Sequence, residues 1–380
     1  MKSTMKIGIV CYPTYGGSGI VATELGMDLA EKGHEVHFFS TNVPARLNIK
    51  LPNIFFHRIH VETYPLFQYQ PYDLALSTIL YEKVLQYQLD LVHVHYAIPH
   101  AYAAYFTKQM LARKGYQLPI VTTLHGTDIT LVGKHPVYKT AVEFSINESD
   151  VVTSVSESLK QDTLNAFEIT NDIKVIPNFI DNEQYLPEKC VCCRNNFAEP
   201  TEKVILHTSN LRKVKRIQDV ISTFNIIQKT IPSKLIIAGE GPEWELADQL
   251  IQEYGIQDKV KSLGMVSDLQ DVLKAADLFL LPSEQESFGL AALEAMAANV
   301  PVISSNAGGL PEVNIDGFSG FVCPVGDVET MAEKAIYILE NEERLKQFAQ
   351  NAKEQALSFD KKKILPQYES LYQSVISKNG

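Results

Sequence analysis

The first third of the chain alternates short apolar or β-branched runs with longer segments whose apolar residues recur every three or four positions. This rhythm predicts a parallel sheet covered by helices, because parallel strands need long crossovers and both sheet faces must be buried. The expected strands are Lys6–Tyr12, Glu35–Ser40, Leu91–Tyr96, Ile120–Leu124 and Val151–Ser154. Between the first two, Val21, Leu25 and Leu29 share one helical face, and Gly33 is placed to end the helix. The rhythm restarts at Ile173–Pro177 and continues through Val204–Thr208, Lys234–Ala238, Val260–Leu263, Leu278–Leu281 and Pro301–Ser304. Helical stretches at Ile217–Gln228, Glu243–Tyr254 and Asp268–Ala275 separate these strands, and the chain reads as helical after Asp327. Two similar α/β halves follow, with a boundary near residue 168 at the polar run Glu168–Asp172. No short repeat or heptad run is present, which removes solenoids.

Length agrees with two domains, since 380 residues exceed the usual size of one core. A hydrophobic share of 45% with 21% charged residues is that of an ordinary soluble chain. The apolar run Ile7–Cys11 is too brief for a signal core or a membrane span, so a cytoplasmic address and no integral membrane segment are expected. A net charge of −11 argues against nucleic acid as the main partner, although one nucleotide needs only a local positive site. The five cysteines read as reduced thiols. Cys190, Cys192 and Cys193 cluster, but a structural zinc site usually takes four ligands, and free thiols on a connecting loop are preferred.

Candidate chemistry gathers at expected strand ends, where open parallel sheets bind ligands. Gly16-Gly17-Ser18-Gly19 joins the first strand to its helix and offers amides to an anion, with Ser18 suited to a carboxylate. With Ala22 in the place of a third glycine, the loop also leaves a nicotinamide enzyme open. His93 and His95 share one face of their strand and read as hydrogen-bonded structural histidines, because further metal ligands with recognisable spacing are missing. Tyr96 ends that strand and is the better site candidate. On the next strand Thr123 and His125 share a face, Gly126 permits close approach of a ligand, and Thr127 or Asp128 could cap a helix.

In the second half, Ser209-Asn-Leu-Arg-Lys-Val-Lys-Arg216 concentrates four cations at a strand-to-helix turn, where Arg212 and Lys215 could clamp a diphosphate. The run Ser283–Ala297 then combines a strand end, a glycine turn and an almost wholly apolar helix. Glu294 within that helix is costly to bury unless something hydrogen-bonds it; the hydroxyls of a ribose would serve, and so would a basic core partner. Glu286 could accept hydrogen bonds from a sugar ring, while the amides of Ser287, Phe288, Gly289 and Leu290 face an anion at the helix N-terminus.

Taken together, these segments resemble the retaining glycosyltransferases of family four. The resemblance covers nearly the whole chain through Gly16–Gly19, His125–Asp128, Ser154-Val-Ser156, Pro177-Asn-Phe-Ile-Asp181, Gly239-Glu-Gly-Pro242, the Glu286 and Glu294 pair, and Gly308-Gly-Leu-Pro-Glu312. It implies the GT-B architecture, two Rossmann-like doubly wound domains facing across a cleft, with residues 1–168 on the acceptor side and 169–359 binding the nucleotide sugar. A C-terminal helix over about residues 360–380 would pack back on the first domain. Family members commonly carry an arginine where Asn210 stands, ahead of the lysine matched by Lys215, and the nearest arginine here is Arg212. Within the family, His93–His100, Thr122–Thr130 and Ser209–Arg216 are similar to members that join N-acetylglucosamine to L-malate in bacillithiol biosynthesis.

The resemblance also implies roles. Glu294 would hold the donor ribose, and Glu286 with the amides of residues 287–290 the sugar and phosphates. Arg212 and Lys215 would stabilise departing UDP, and His125 and Asp128 would contact the donor sugar, with Gly17 and Asn210 also on the donor side. Gly16, Ser18, Tyr96 and Thr123 would take the carboxylates of malate. UDP-N-acetylglucosamine is then a substrate, no cofactor or metal is expected, and a homodimer is expected at family level. A family-four transferase with another small or lipid acceptor, and a UDP-sugar epimerase of similar fold, are the alternatives.

Overall fold

The computed structural model describes residues 4–14, 16–62, 70–185, 194–266 and 269–379; Cys190, Cys192 and Cys193 lie outside them. The chain forms two compact units, Met1–Asn178 with Lys362–Gly380, and Phe179–Lys361.

The first unit holds a seven-stranded sheet of β1 (Lys6–Val10), β2 (Glu35–Ser40), β3 (Ile54–Arg58), β4 (Leu91–His95), β5 (Ile120–Leu124), β6 (Val151–Ser154) and β7 (Ile173–Val175). Their order is β3-β2-β1-β4-β5-β6-β7, and every pairing is parallel. The second unit holds β8 (Lys203–Thr208), β9 (Ser233–Ala238), β10 (Val260–Gly264), β11 (Leu278–Leu281), β12 (Val302–Ser305) and β13 (Gly320–Cys323) in the order β10-β9-β8-β11-β12-β13, again all parallel. The central strands are buried along their length, as continuous apolar runs require when helices cover both faces. Helix Ile217–Ile227 shows the matching pattern: Ile217, Val220, Ile221, Phe224 and Ile227 are fully buried against β8 and β9 residues. Each such side chain stabilises by about 1.5–3 kcal/mol.

Three elements depart from the sequence reading. β3 and β13 carry few uninterrupted apolar residues, because each lies at a sheet edge and is only partly buried. β7 extends the first sheet, pairing Ile173 with Val152, instead of opening the second half. The polar run before it is a crossover loop, in which the Asn171 amide donates to the carbonyls of Ile146, Asn147 and Ser149 and so satisfies the end of helix Pro136–Asn147.

Helix Lys361–Asn379 returns to the first unit. Tyr372 Oη lies 2.7 Å from His93 Nδ1, and Glu369 is paired with Lys32 and with His34. Strand order reverses between β1 and β4 in one sheet and between β8 and β11 in the other, and ligands bind beyond the carboxyl ends of strands at such switch points.

Candidate active site

At the first switch point the loop after β1 is tight. A Cβ on Gly19 would come within 2.6 Å of the Thr14 carbonyl and 2.9 Å of that of Tyr12, so no side chain fits. Gly16 caps helix Gly17–Glu31, its carbonyl accepting from the amides of Gly19 and Ile20. Gly17 and Ser18 thereby stand at a helix N-terminus, where the backbone favours negative charge. Ser18 Oγ, in the first turn of the helix after β1, and Tyr96 Oη, in the residue just past β4, share a hydrogen bond of 2.6 Å. Tyr96 has φ of 95°, a left-handed conformation that costs a bulky residue about 1–3 kcal/mol. Its amide donates to the Thr123 carbonyl at 2.9 Å, which helps to hold it there.

Behind Tyr96 lies a buried histidine group. His95 Nδ1 is 2.8 Å from His125 Nε2, with the rings stacked. His100 donates from Nδ1 to the His95 carbonyl and receives the Tyr72 hydroxyl at Nε2. Burial pushes these imidazoles below the ordinary histidine range, His125 to about 3 and His100 to about 4. The group is neutral at pH 7.

Two of the expected site residues make interior contacts. Thr123 is fully buried, its hydroxyl held by His93 Nε2 at 2.7 Å and Thr153 Oγ1 at 2.6 Å, which supports the strand end from beneath. Asp128 is 2% exposed; Oδ2 accepts from the Ala97 amide at 2.8 Å and Oδ1 from that of Gly126 at 3.1 Å. Burial raises its acid to about 6 against the pull of those amides. It braces the loops after β4 and β5.

At the second switch point the four cations separate. Arg216 is clamped by Asp219, Nε to Oδ2 at 2.5 Å and Nη2 to Oδ1 at 3.1 Å. Lys215 Nζ is 2.5 Å from Glu286 Oε2, both side chains being largely buried. A bond from the Glu284 amide to the Val214 carbonyl ties the two loops together. Arg212 and Asn210 are exposed, and Arg212 has no ion pair with any described residue.

Glycines set this geometry. Gly308, at φ of 53°, would put a Cβ 1.9 Å from the Glu286 carbonyl, which also accepts from the Gly309 amide. Gly239 and Gly241 likewise let their loop lie on the carbonyls of Ser209 and Asn210. Gly289, at φ of 104°, opens helix Leu290–Ala297; Ser287 precedes it, and Phe288 is buried edge-to-face on Phe359. Glu294 in that helix is nearly buried, with Tyr185 Oη 3.4 Å from Oε1. A tyrosine hydroxyl is thus one partner of this carboxylate. Tyr185 had no distinguishing sequence signal, since its contact joins distant segments, and for His95, expected as a hydrogen-bonded structural histidine, the sequence did not show that the partner is His125.

The residues therefore form two sets: Gly16, Gly17, Ser18, Tyr96 and His125 in the first unit, and Asn210, Arg212, Lys215, Glu286–Leu290 and Glu294 in the second. Among the described residues no group of three or more His, Cys, Asp or Glu is placed to hold a metal ion, and no helix is long and apolar enough to cross a membrane.

The family model for Glycosyltransferase Family 4 matches residues 15–184, and that for Glycosyl transferases group 1 matches residues 194–355. The chain is 45% identical over 380 residues to N-acetyl-alpha-D-glucosaminyl L-malate synthase of Bacillus anthracis, covering 99% of each chain. The fold is similar to that of sucrose-phosphate synthase from Thermosynechococcus elongatus, with a TM-score of 0.82 at 20% identity, covering 98% of this chain and 100% of that one. It is also similar to Anabaena HepE in complex with UDP and glucose, with a TM-score of 0.81 at 21% identity over 97% and 100% of the two chains. With two doubly wound parallel sheets and matches along both units, the chain belongs to the family-four glycosyltransferases of GT-B architecture.

Proposed function

We propose that the protein transfers N-acetylglucosamine from UDP-N-acetylglucosamine to the hydroxyl of L-malate with retention at the anomeric carbon, the first step of bacillithiol biosynthesis. The observation that carries this reading is the 45% identity to a synthase of that name across 99% of both chains.

The second unit supplies the donor groups. Glu294 accepts from the ribose, and the amides of residues 287–290 receive the diphosphate. Lys215 and the exposed Arg212 offset the charge that grows on UDP as the bond to the anomeric carbon breaks. Glu286 meets the sugar, its carboxylate held by Lys215. The first unit supplies the acceptor groups: the Ser18 and Tyr96 hydroxyls and the N-terminus of helix Gly17–Glu31 suit a dicarboxylate. The new bond forms on the face the phosphate leaves, and the malate hydroxyl proton passes to a departing phosphate oxygen. With cations already facing the diphosphate, the reaction needs neither metal nor cofactor. A cytoplasmic address and a homodimer belong to the same reading.

The test is incubation of purified protein with UDP-N-acetylglucosamine and L-malate, glycerol phosphate, a lipid acceptor or no acceptor, with and without EDTA, and mass analysis of the products. The malate glycoside is expected, undiminished by EDTA. Transfer only to another acceptor would replace malate, and an altered sugar without acceptor would indicate an epimerase.

A further inference from the structure

His95 is wholly buried, and its ring has one polar partner among the described residues: Nδ1 lies 2.8 Å from His125 Nε2, while Nε2 has none. A neutral imidazole carries one proton, so two arrangements exist. If His125 donates from Nε2, the proton of His95 sits on its own Nε2 and is a buried N–H without an acceptor. If His95 donates from Nδ1, the orphan is only a lone pair. Buried N–H groups without acceptors are the rarer defect, because a donor has a single direction in which to be satisfied.

We infer that His95 donates from Nδ1 to His125 Nε2, fixing His125 in the tautomer that carries its proton on Nδ1. His95 is thus a positioning residue. The surroundings agree. The neighbouring His100 donates from its own Nδ1 to the His95 carbonyl, and the His95 amide strand is paired in the sheet, so neither competes for the His95 ring. The charged forms are suppressed by burial and by the neighbouring imidazoles.

The inference rests on the proposed function for its chemistry and goes further at one atom. His125 has Nδ1 left for a ligand, and Nδ1 is a donor. It can hold a sugar hydroxyl or a phosphate oxygen, but it cannot take the proton of the malate hydroxyl. That leaves proton removal to the departing phosphate, and gives the paired histidines a purpose that a metal site or simple packing would not need.

Ring nitrogen-15 spectra of the full-length protein, labelled at histidine and assigned with His125→Gln, report the tautomer directly. Protonated Nδ1 and unprotonated Nε2 are expected for His125 at pH 7; the opposite pattern would overturn the inference. In His95→Leu the His125 signals should become a mixture of tautomers, and kcat/KM for the sugar nucleotide should fall about 10²-fold, the effect of losing about 1 Å of alignment. His95→Asn, whose amide donor falls near the place of Nδ1, should restore most of the rate and the single tautomer. Unchanged spectra and rates in a folded His95→Leu would refute the role. Failure of the wild type to use malate would instead remove the acceptor reading, since the tautomer is read without substrate.

Discussion

Gly308→Ala tests how the second unit holds its donor groups. The backbone at residue 308 has φ of 53°, and a Cβ there would lie 1.9 Å from the Glu286 carbonyl oxygen. The left-handed conformation alone costs alanine about 1–2 kcal/mol. Carbon–oxygen contact requires more than 3 Å, so Glu286 must also retreat by about 1 Å, and overpacking of that kind costs about 1–3 kcal/mol. A total of about 3 kcal/mol lowers the melting temperature by about 9 °C in a unit of this size. The same retreat moves Glu286 and the amides after it, and a misplacement of about 1 Å at a reacting centre costs about 10²-fold in rate. Gly317→Ala is the control: Gly317 has φ of 71° and nothing within 4 Å of its Cβ position, so it carries the backbone cost without the collision. Thermal melts, UDP titration calorimetry and transfer kinetics on both variants separate the two. Gly317→Ala should lose about 1–2 kcal/mol and keep UDP affinity, whereas Gly308→Ala should lose more of both. Equal UDP affinity and rate in the two variants would refute the reasoning.

Other outcomes follow from the same geometry. Lys215→Met should raise KM for the sugar nucleotide and lower kcat by at least about 10²-fold, the usual effect of losing one group that stabilises developing charge, while UDP binding to Lys215→Arg should be partly retained. Ser18→Ala and Tyr96→Phe, which break the 2.6 Å hydroxyl pair, should each raise KM for malate about tenfold and leave that for the donor unchanged, a change of about 1.4 kcal/mol; equal shifts in both KM values would remove these residues from the acceptor side. Stability should fall as pH drops from 6.5 to 4, measured by denaturant melts. His207 is buried with its pKa lowered to about 4, so the unfolded chain binds its proton first and acidification withdraws on the order of 3 kcal/mol from the second unit. Asp128, raised to about 6, acts in the opposite direction in the first unit, and flat stability over this range would contradict the buried neutral histidines.

Alternation of apolar runs with helical periods was enough to determine two α/β halves with parallel sheets, because buried parallel strands and amphipathic crossovers leave strong local patterns. The ordered motifs from Gly16 to Glu312 likewise pointed to the family, and the glycines among them mark places where backbone meets backbone. What each charged or polar group does was decided by the tertiary structure. Four clustered cations look alike in one dimension, yet Arg216 is held by Asp219, Lys215 by Glu286, and Arg212 and Lys213 are left exposed. Thr123 and Asp128 sit at strand ends as expected but turn to His93, Thr153 and backbone amides. Tyr185 reaches Glu294 across 109 residues, and His95 reaches His125 across 30. Periodicity reports which face is buried, whereas a hydrogen bond between distant segments depends on strand order and register, and these arise only when the sheets assemble.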